Sequence, residues 1–301
     1  MTKKVIGVDL YCGIGGSTQG MLDAGAEVIL SIDCWEVAER VHKHNFPDVP
    51  FINRRLGEDF DEDMRIVVEA IKEAVKKWGG RTEVHIHIHA SPPCQALSNL
   101  GKKNYTDGVG AMEAFLRMID ELKTMNLCDS WTMENVLPAR KYLPGVPYKI
   151  LDASDFGAHT KRRRYFAGEG WTAQKTGGAL PWDEVINDPT IPEGAVLNAC
   201  AHGESISPRS QFADTPKGEV MRTLTRMLSN IRVMNEDGTA FIKVRSMTIP
   251  EKLRFQGFPP SFSIPEDITK TDASSGSGNV VCPPVMKAII EGIHHGGYVW
   301  L

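Results

Sequence analysis

Short apolar runs alternate with longer amphipathic runs over the first 170 residues. Four short runs predict buried strands: KVIGVDLY from residue 4, VILSID from 28, EVHIHIHA from 83 and WTMENV from 131. Residues 59–78 repeat apolar positions at the helical period most clearly, and further helices are predicted over 18–25, 35–46 and 111–126. A long loop is predicted up to Gly110. Strands that alternate with helices of this length predict a parallel sheet with right-handed crossovers.

The pattern changes after Gly170, where Pro, Gly, Asn and Ser become frequent. RTLTRM (222–227) and GTAFIKV (238–244) predict two short strands on either side of a turn at 235–238. A further apolar helix is predicted over 285–293. We therefore expect an α/β domain over 1–184, completed by 273–301, and a smaller irregular domain with β-strands over 185–272.

Composition narrows the class of protein. The chain has 301 residues, of which 42% are apolar and 24% charged, and no apolar run is long enough to span a membrane. Its six cysteines include no CxxC pair, which favours a reduced, cytoplasmic compartment. The net charge of -4 argues against an indiscriminate polyanion binder, yet residues 205–254 carry nine basic and five acidic side chains. Together with KRRR at 161–164, this region is either a phosphate-facing surface or an ordinary solvated face.

The stretch HIHIHASPPCQALS (85–98) raises two chemical possibilities, a metal site and a cysteine nucleophile. Histidines two apart on one strand share a face but diverge by about 6–7 Å, whereas zinc needs ligands that converge. We therefore prefer histidines packed beneath a helix, and we expect no metal. Cys94 follows two prolines at the carboxyl end of a strand, where open α/β sheets bind ligands. It is either a small buried residue or a nucleophile.

DLYCGIGGSTQG joins the first strand to the first helix, and its glycines let a ligand approach the backbone. Asp33 ends the next strand, where an acid commonly binds a ribose hydroxyl. The spacing GxGG, instead of GxGxxG, favours a nucleoside cofactor over a dinucleotide. A purely structural turn is the alternative.

SPPCQALS following DLYCGIGG resembles the C5-cytosine DNA methyltransferases, whose active-site loop carries Pro-Cys-Gln. Four further segments resemble that family in the same order: MENV (133–136), HTKRRRYF (159–166), RSMTIPEKLRFQGFP (245–259) and SGNVVCPP (277–284). The resemblance leaves only about residues 171–221 unmatched. It implies a Rossmann-like S-adenosylmethionine-dependent methyltransferase domain with a smaller, irregular, β-containing target-recognition domain over 185–272.

The resemblance implies a covalent mechanism on duplex DNA. Cys94 would add to C6 of a flipped cytosine and so activate C5 for methylation, while Glu134 would protonate or hold N3. Arg164 and Arg162 would bind the cytosine O2 and the backbone. A loop near 98–110 would close over the base.

The resemblance also implies binding residues. Those expected to hold S-adenosylmethionine are Tyr11, Cys12, Gly13, Gly15, Gly16, Asp33, Cys34, Pro93, Asn279 and Val281. Those expected to contact DNA are Gln95, Ser98, Arg222, Thr223, Arg226 and Arg245.

The chain departs from the family pattern at several positions. Tyr11 and Leu97 each replace a usual phenylalanine, Thr160 replaces a glutamine, and Cys34 replaces a bulky residue that packs on the adenine. The acid expected near the adenine amino group is open between three residues, namely Asn53, Glu58 and Asp59.

Three other functions compete with this prediction. A tRNA cytosine methyltransferase of the same fold is disfavoured by PPCQ in place of a Cys-Phe-Thr sequence. A catalytically silent nucleic-acid-binding module is disfavoured by intact Cys94, Glu134 and Arg164. A nucleotide-cofactor oxidoreductase is supported by the glycine loop alone. We expect a monomer that acts on double-stranded DNA in the cytoplasm of a bacterial or phage-infected cell, with a cognate restriction endonuclease as a possible partner.

Overall fold

The computed structural model describes residues 3–93, 105–199, 214–225, 227 and 229–295, and it describes side chains in the second range from residue 108 onwards. The chain folds into two compact units. The first contains residues 1–151, 163–174 and 285–301, and the second contains 152–162 and 175–284. The assignment of 185–272 as a DNA-reading domain stays a prediction.

The first unit is built on a seven-stranded sheet with the order β3-β2-β1-β4-β5-β8-β6. Its strands are β1 (Lys4–Leu10), β2 (Glu27–Asp33), β3 (Phe51–Asn53), β4 (Val84–Ala90), β5 (Ser130–Asn135), β6 (Tyr148–Asp152) and β8 (Arg163–Glu169). The pairs from β3 to β5 are parallel, and β8 is antiparallel to β5. The carboxyl ends of β1 to β5 and the amino end of β8 therefore share one edge of the sheet.

Five helices accompany this sheet: α1 (Gly16–Asp23), α2 (Glu36–Asn45), α3 (Phe60–Lys77), α4 (Tyr105–Thr124) and α8 (Pro283–His294). One apolar core joins Ile6, Ile86, Val67 and Phe115, so α3 and α4 pack on the same face of the sheet. His87 and His89 point to the opposite face because side chains alternate along a strand. Within the described part of the chain, no helix is long and apolar enough to cross a membrane.

The second unit contains a four-stranded sheet of order β10-β9-β12-β13 and a two-stranded pair. Its strands are β7 (Thr160–Lys161), β9 (Val196–Asn198), β10 (Asp214–Pro216), β11 (Met221–Arg222), β12 (Asn230–Met234) and β13 (Phe241–Ser246). Its helices are α5 (Trp182–Ile186), α6 (Ile249–Gln256) and α7 (Lys270–Gly278). A separate core around Trp182, Leu197, Ile231 and Phe255 holds it together.

Two local predictions were wrong. Helix α4 begins at Tyr105, six residues before the predicted start, because Gly108 and Gly110, a residue type that usually marks a loop, lie inside the helix. The strand opposite Phe241 in the hairpin is β12, not RTLTRM. Asn235 closes that turn by accepting from the amides of Thr239 and Ala240.

Candidate active site

The loop after β1 is a tight turn with three residues at positive φ, and at one of them, Gly15, a side chain would also clash with a neighbouring ring. Gly13 and Gly15 have φ values of 52° and 92°, and Tyr11 between the strand and the loop has φ 55°. A Cβ on Gly15 would lie 2.4 Å from the Phe46 ring, whereas nothing lies within 4 Å of a Cβ on Gly13. The backbone at Gly13 is therefore open to a ligand, and Gly16 begins α1.

Asp33 ties this loop to the end of β2. Its Oδ2 accepts from the Gly13 amide at 2.9 Å, and its Oδ1 accepts from the Trp35 amide at 2.9 Å. Burial raises the pKa of the Asp33 carboxyl above its usual value. Cys34, next in the chain, is exposed, whereas Cys12 is buried.

A buried acid that sequence reasoning missed lies beneath the glycine loop. Asp9 Oδ2 accepts from Ser17 Oγ at 2.7 Å and from Thr18 Oγ1 at 2.6 Å. Its Oδ1 has no hydrogen-bond partner, and burial raises its pKa to about 6. The signal was an aspartate in the otherwise apolar strand KVIGVDL. Its hydrogen bonds orient the first turn of α1.

The three candidates for the residue expected near the adenine amino group have different surroundings. Asn53 lies next to Asp33 in the β2–β3 register and donates to Glu39. Asp59 caps α3 by accepting from the Glu62 amide, and Glu58 forms an exposed ion pair with Arg55.

Asn53 is the last residue of β3, and Glu58 and Asp59 lie in the loop that joins the carboxyl end of β3 to α3. A cleft beside the end of β1 is lined by Leu10, Tyr11, Leu56, Phe60, Asp63 and Met118. Asp63 accepts from Arg54 at 2.5 Å and from the Gly57 amide at 2.7 Å.

Glu134 and Arg164 meet at the same edge. Glu134 is the fifth residue of β5 and is 9% exposed, and Arg164 is the second residue of the antiparallel β8. Arg164 Nε lies 3.1 Å from Glu134 Oε1. The two side chains thus form a largely buried ion pair at the carboxyl edge of the sheet.

The strand end that precedes Cys94 is held by its neighbours. The Ser91 amide donates to Leu10 O at 3.0 Å, and Asn135 Nδ2 donates to Pro92 O at 3.2 Å. Pro93 is exposed. Cys94, Gln95, Leu97, Ser98 and the start of the predicted closing loop lie outside the described residues.

Arg162 has surroundings unlike those of Arg164. It belongs to the second unit and is 4% exposed. Its guanidinium donates to Gly278 O at 3.0 Å, Val280 O at 2.9 Å and Leu224 O at 3.4 Å. Two of these bonds satisfy carbonyls at and beyond the end of α7, so the geometry favours a structural role over the expected contact with cytosine.

Four of the six expected DNA contacts belong to the second unit. Thr223 Oγ1 donates to Lys161 O at 2.5 Å, and Arg222 is half-buried at the end of β11. Arg245 is held between Asp188 and Glu251 at 3.1 and 2.7 Å. Arg226 lies outside the described residues, and the DNA contact of Arg245 stays a prediction.

The remaining two cofactor candidates also belong to the second unit. Asn279 is the exposed residue that ends α7, and Val281 is buried. Across the residues that the structure describes, no group of three or more His, Cys, Asp or Glu side chains is placed to hold a metal ion.

The open sheet, the glycine turn after β1 and the carboxylate at the end of β2 define a Rossmann-like α/β fold. A solved structure titled as a putative DNA modification methyltransferase encoded within an E. coli prophage shares this fold. Its TM-score is 0.63 at 20% identity, and the match covers 97% of this chain and 99% of that one. The fold expectation is confirmed.

The profile of the C-5 cytosine-specific DNA methylases matches residues 5–168 and 194–295, and the chain belongs to this family. Type II methyltransferase M.HindV of Haemophilus influenzae is 27% identical over 95% of both chains. A tRNA (cytosine(38)-C(5))-methyltransferase of Spodoptera frugiperda is 31% identical over 45% of this chain and 36% of its own. The protein is therefore a C5-cytosine methyltransferase, and its family implies S-adenosylmethionine as the methyl donor.

Proposed function

We propose that the protein methylates C5 of a specific cytosine in duplex DNA. The observation that carries this proposal is the Glu134–Arg164 pair, set at the carboxyl edge of the sheet two strands from the glycine turn. In a C5-cytosine methyltransferase this edge must present a nucleophile, a group for N3 and a cation for O2. The chain has Cys94, Glu134 and Arg164 for these three roles.

Cys94 would supply the nucleophile. Its thiolate adds to C6, and the electron pair of the C5–C6 double bond becomes available at C5, which is otherwise a poor nucleophile. Glu134 holds or protonates N3 and so neutralises charge that develops in the ring. Arg164, already oriented by Glu134, places positive charge next to O2. Once C5 has gained the methyl group, a base takes the C5 proton, the C5–C6 double bond re-forms, and the C6–S bond breaks to release the Cys94 thiolate.

S-adenosylmethionine, when bound, supplies an electrophilic methyl group. The residues of the first unit fit such a group, because Gly13 leaves open space beside the backbone and Asp33 presents a carboxylate at the end of β2. We propose that Asp33 binds the ribose hydroxyls and that Tyr11 packs near the adenine. Cys12, Gly13, Gly15, Gly16, Cys34, Pro93, Asn279 and Val281 complete the proposed set.

Duplex DNA is preferred to tRNA because the matched relative M.HindV is aligned over 95% of both chains, whereas the tRNA-modifying relative aligns over less than half of this chain. The target atom is stacked inside a duplex, so the cytosine must be flipped out, at a cost of a few kcal/mol. We propose that residues 185–272 read the sequence through Arg222, Thr223 and Arg226. The proposed contacts of the active-site segment are Gln95 and Ser98.

Covalent trapping tests the proposal. The protein is incubated with S-adenosylmethionine and mixed-sequence duplexes that contain 5-fluorocytosine, because fluorine at C5 blocks the final elimination. We expect a DNA–protein adduct on a denaturing gel that is absent in Cys94→Ala and present in Cys128→Ala, a cysteine distant from the glycine turn. Sequencing the trapped DNA would identify the site. An adduct on tRNA and none on DNA would contradict the assignment of the substrate, and no adduct on either would contradict the mechanism.

A further inference from the structure

A continuous line of imidazole and hydroxyl groups runs between β4 and β5 on the face opposite the α3–α4 core. We call it the polar ladder, and its members in order are His85, Ser130, His87, Thr132, His89 and Ser91. The β4–β5 register pairs His87 with Ser130 and His89 with Thr132. Every second residue of both strands therefore projects to the same side, which brings the six side chains into one row.

Each member lies within hydrogen-bond distance of the next. Ser130 Oγ lies 2.8 Å from both His85 Nε2 and His87 Nδ1. Thr132 Oγ1 lies 3.1 Å from His87 Nε2 and 2.8 Å from His89 Nδ1. Both nitrogens of His87 are thus engaged, and each hydroxyl is shared between two imidazoles.

The ladder ends at the edge of the sheet that carries the candidate active site. His89 Nε2 lies 2.9 Å from Ser91 Oγ. The Ser91 amide donates to Leu10 O, and Asn135 Nδ2 donates to Pro92 O. Ser91 and Pro92 are therefore held from β1, β4 and β5, only two residues before Cys94.

The ladder is electrically neutral. His87 and His89 are fully buried, and burial lowers the pKa of His87 well below its usual value and that of His89 to about 3. At pH 7 only about one His89 in ten thousand would carry a proton on both nitrogens. Transfer of a proton along the row would need such charged rings. We therefore interpret the ladder as a device that fixes the orientation of its side chains, and not as a path for protons.

Neutrality also limits the directions that the hydrogen bonds can take. A neutral imidazole and a hydroxyl can each donate only one hydrogen, so the five bonds converge on one member, which is either an end of the row or one of the hydroxyls of Ser130 and Thr132. If every ring carries its hydrogen on Nε2, the common form of a neutral histidine, each bond points towards Ser91. The Ser91 hydroxyl then accepts from His89, and its own hydrogen is directed out of the ladder at the edge of the sheet.

We propose that the polar ladder fixes the position of Ser91 and the direction of its hydroxyl, and that His89 and Ser91 are positioning residues for the methyl-transfer site. This inference rests on the proposed function, because it takes the carboxyl edge of the sheet to be that site. The hydrogen bonds within the row offset the cost of burying its polar groups, and they also fix the orientation of each ring, which apolar residues of similar size would not do.

The first test is spectroscopic. Nitrogen-15 spectra of the histidine rings in the intact protein at pH 7 should show His85, His87 and His89 as neutral, with hydrogen on Nε2. Thr132→Val is isosteric and removes the central hydroxyl, whereas Thr132→Ser keeps the hydroxyl and loses only a methyl group. We expect the valine variant to shift the ring signals of His87 and His89 and the serine variant to preserve them. Protonated rings, or mixed tautomers in the wild-type protein, would overturn the proposal.

The second test measures position and turnover. In Thr132→Val, the amide of Ser91 should exchange with solvent roughly tenfold faster than in Thr132→Ser, with the amides of β2 unchanged. The value of kcat should fall roughly tenfold or more in Thr132→Val and in Ser91→Ala, with KM within about twofold and recovery in Thr132→Ser and Ser91→Thr.

Two results of this second test would overturn the proposal. One is faster exchange throughout β1 and β2, which marks a general loss of stability, and the other is unchanged kcat. A wild-type protein that methylates neither DNA nor tRNA would contradict the proposed function instead, while the ring spectra and the Ser91 exchange rate would still decide whether the ladder orients Ser91.

Discussion

A buried lysine should make the stability of the second unit depend on pH. Lys252 on α6 is fully buried, and its Nζ donates to Ser274 O at 2.7 Å, Ser274 Oγ at 2.9 Å and Met227 O at 3.2 Å. All three acceptors are neutral oxygens. Burial, together with the nearby charge of Arg162, lowers the pKa of Lys252 to about 7.

The direction of the effect follows from proton binding. In the unfolded chain the pKa of a lysine is about 10.4, so between pH 7 and pH 10 the unfolded state binds more protons than the folded state, and the free energy of unfolding rises with pH. Burial of the charged lysine lowers the free energy of unfolding by its full amount below pH 7. This loss disappears above about pH 10, where Lys252 is neutral in both the folded and the unfolded state. With a folded pKa of about 7, the gain between pH 7 and pH 9 is about 2 kcal/mol.

Urea unfolding at pH 7 and pH 9 measures this gain. The wild-type protein should gain about 2 kcal/mol relative to Lys252→Met, which has a side chain of similar length and no charge, because groups common to both proteins cancel in the difference. Lys270→Met, at the exposed start of α7, is the matched control and should follow the wild type. Parallel pH dependence in wild type and Lys252→Met would refute the reasoning.

Three further substitutions probe the site and the second unit. Glu134→Gln keeps an oxygen that can accept from Arg164 but removes the acid, so single-turnover methyl transfer should slow by about 100- to 10,000-fold in a protein that remains folded. Asp33→Asn should weaken S-adenosylmethionine binding in calorimetry by about tenfold, because a neutral amide is a poorer acceptor for ribose hydroxyls. Asp214→Asn should cost about 3–5 kcal/mol in denaturant unfolding, because it leaves the fully buried Arg232 without its carboxylate. A methyl-transfer rate near that of the wild type would contradict the argument for Glu134→Gln, and unchanged affinity for S-adenosylmethionine would contradict that for Asp33→Asn. A loss of stability under about 1 kcal/mol would contradict the argument for Asp214→Asn.

Much of the first unit could be predicted because its signals are local. Helix α3 has an apolar stripe, an acidic first turn and a terminating Gly79, and the structure places it within one residue of the predicted bounds. The position of Glu134 at a strand end also follows from the short run WTMENV. The start of α4 could not be predicted, since Gly108 and Gly110 are tolerated inside a helix only where packing compensates their backbone entropy.

Contacts between distant segments could not be predicted from the sequence. The alternation HIHIH predicted that the histidines share one face, but their partners Ser130 and Thr132 depend on the register between β4 and β5. That register is set by how the side chains of both strands pack on each face of the sheet, which no local pattern describes. The same reason applies to Asp9, whose strand is predictable while its contacts with Ser17 and Thr18 are not.

Arg162 and Arg164 illustrate why a motif can assign two residues the same role when their surroundings differ. The two arginines lie two positions apart in KRRR, and both were expected to contact the substrate. Arg164 lies beside a carboxylate, whereas Arg162 donates to Gly278 O and Val280 O, in the segment that contains Asn279. A cation at the end of α7 is stabilised by the helix carbonyls, so its charge serves the fold, while the charge of Arg164 is paired with the one acid that the proposed chemistry requires. The acceptor that each guanidinium meets, and not the spacing of the arginines, therefore distinguishes the residue that holds the Asn279 segment from the residue that we propose to act on the base.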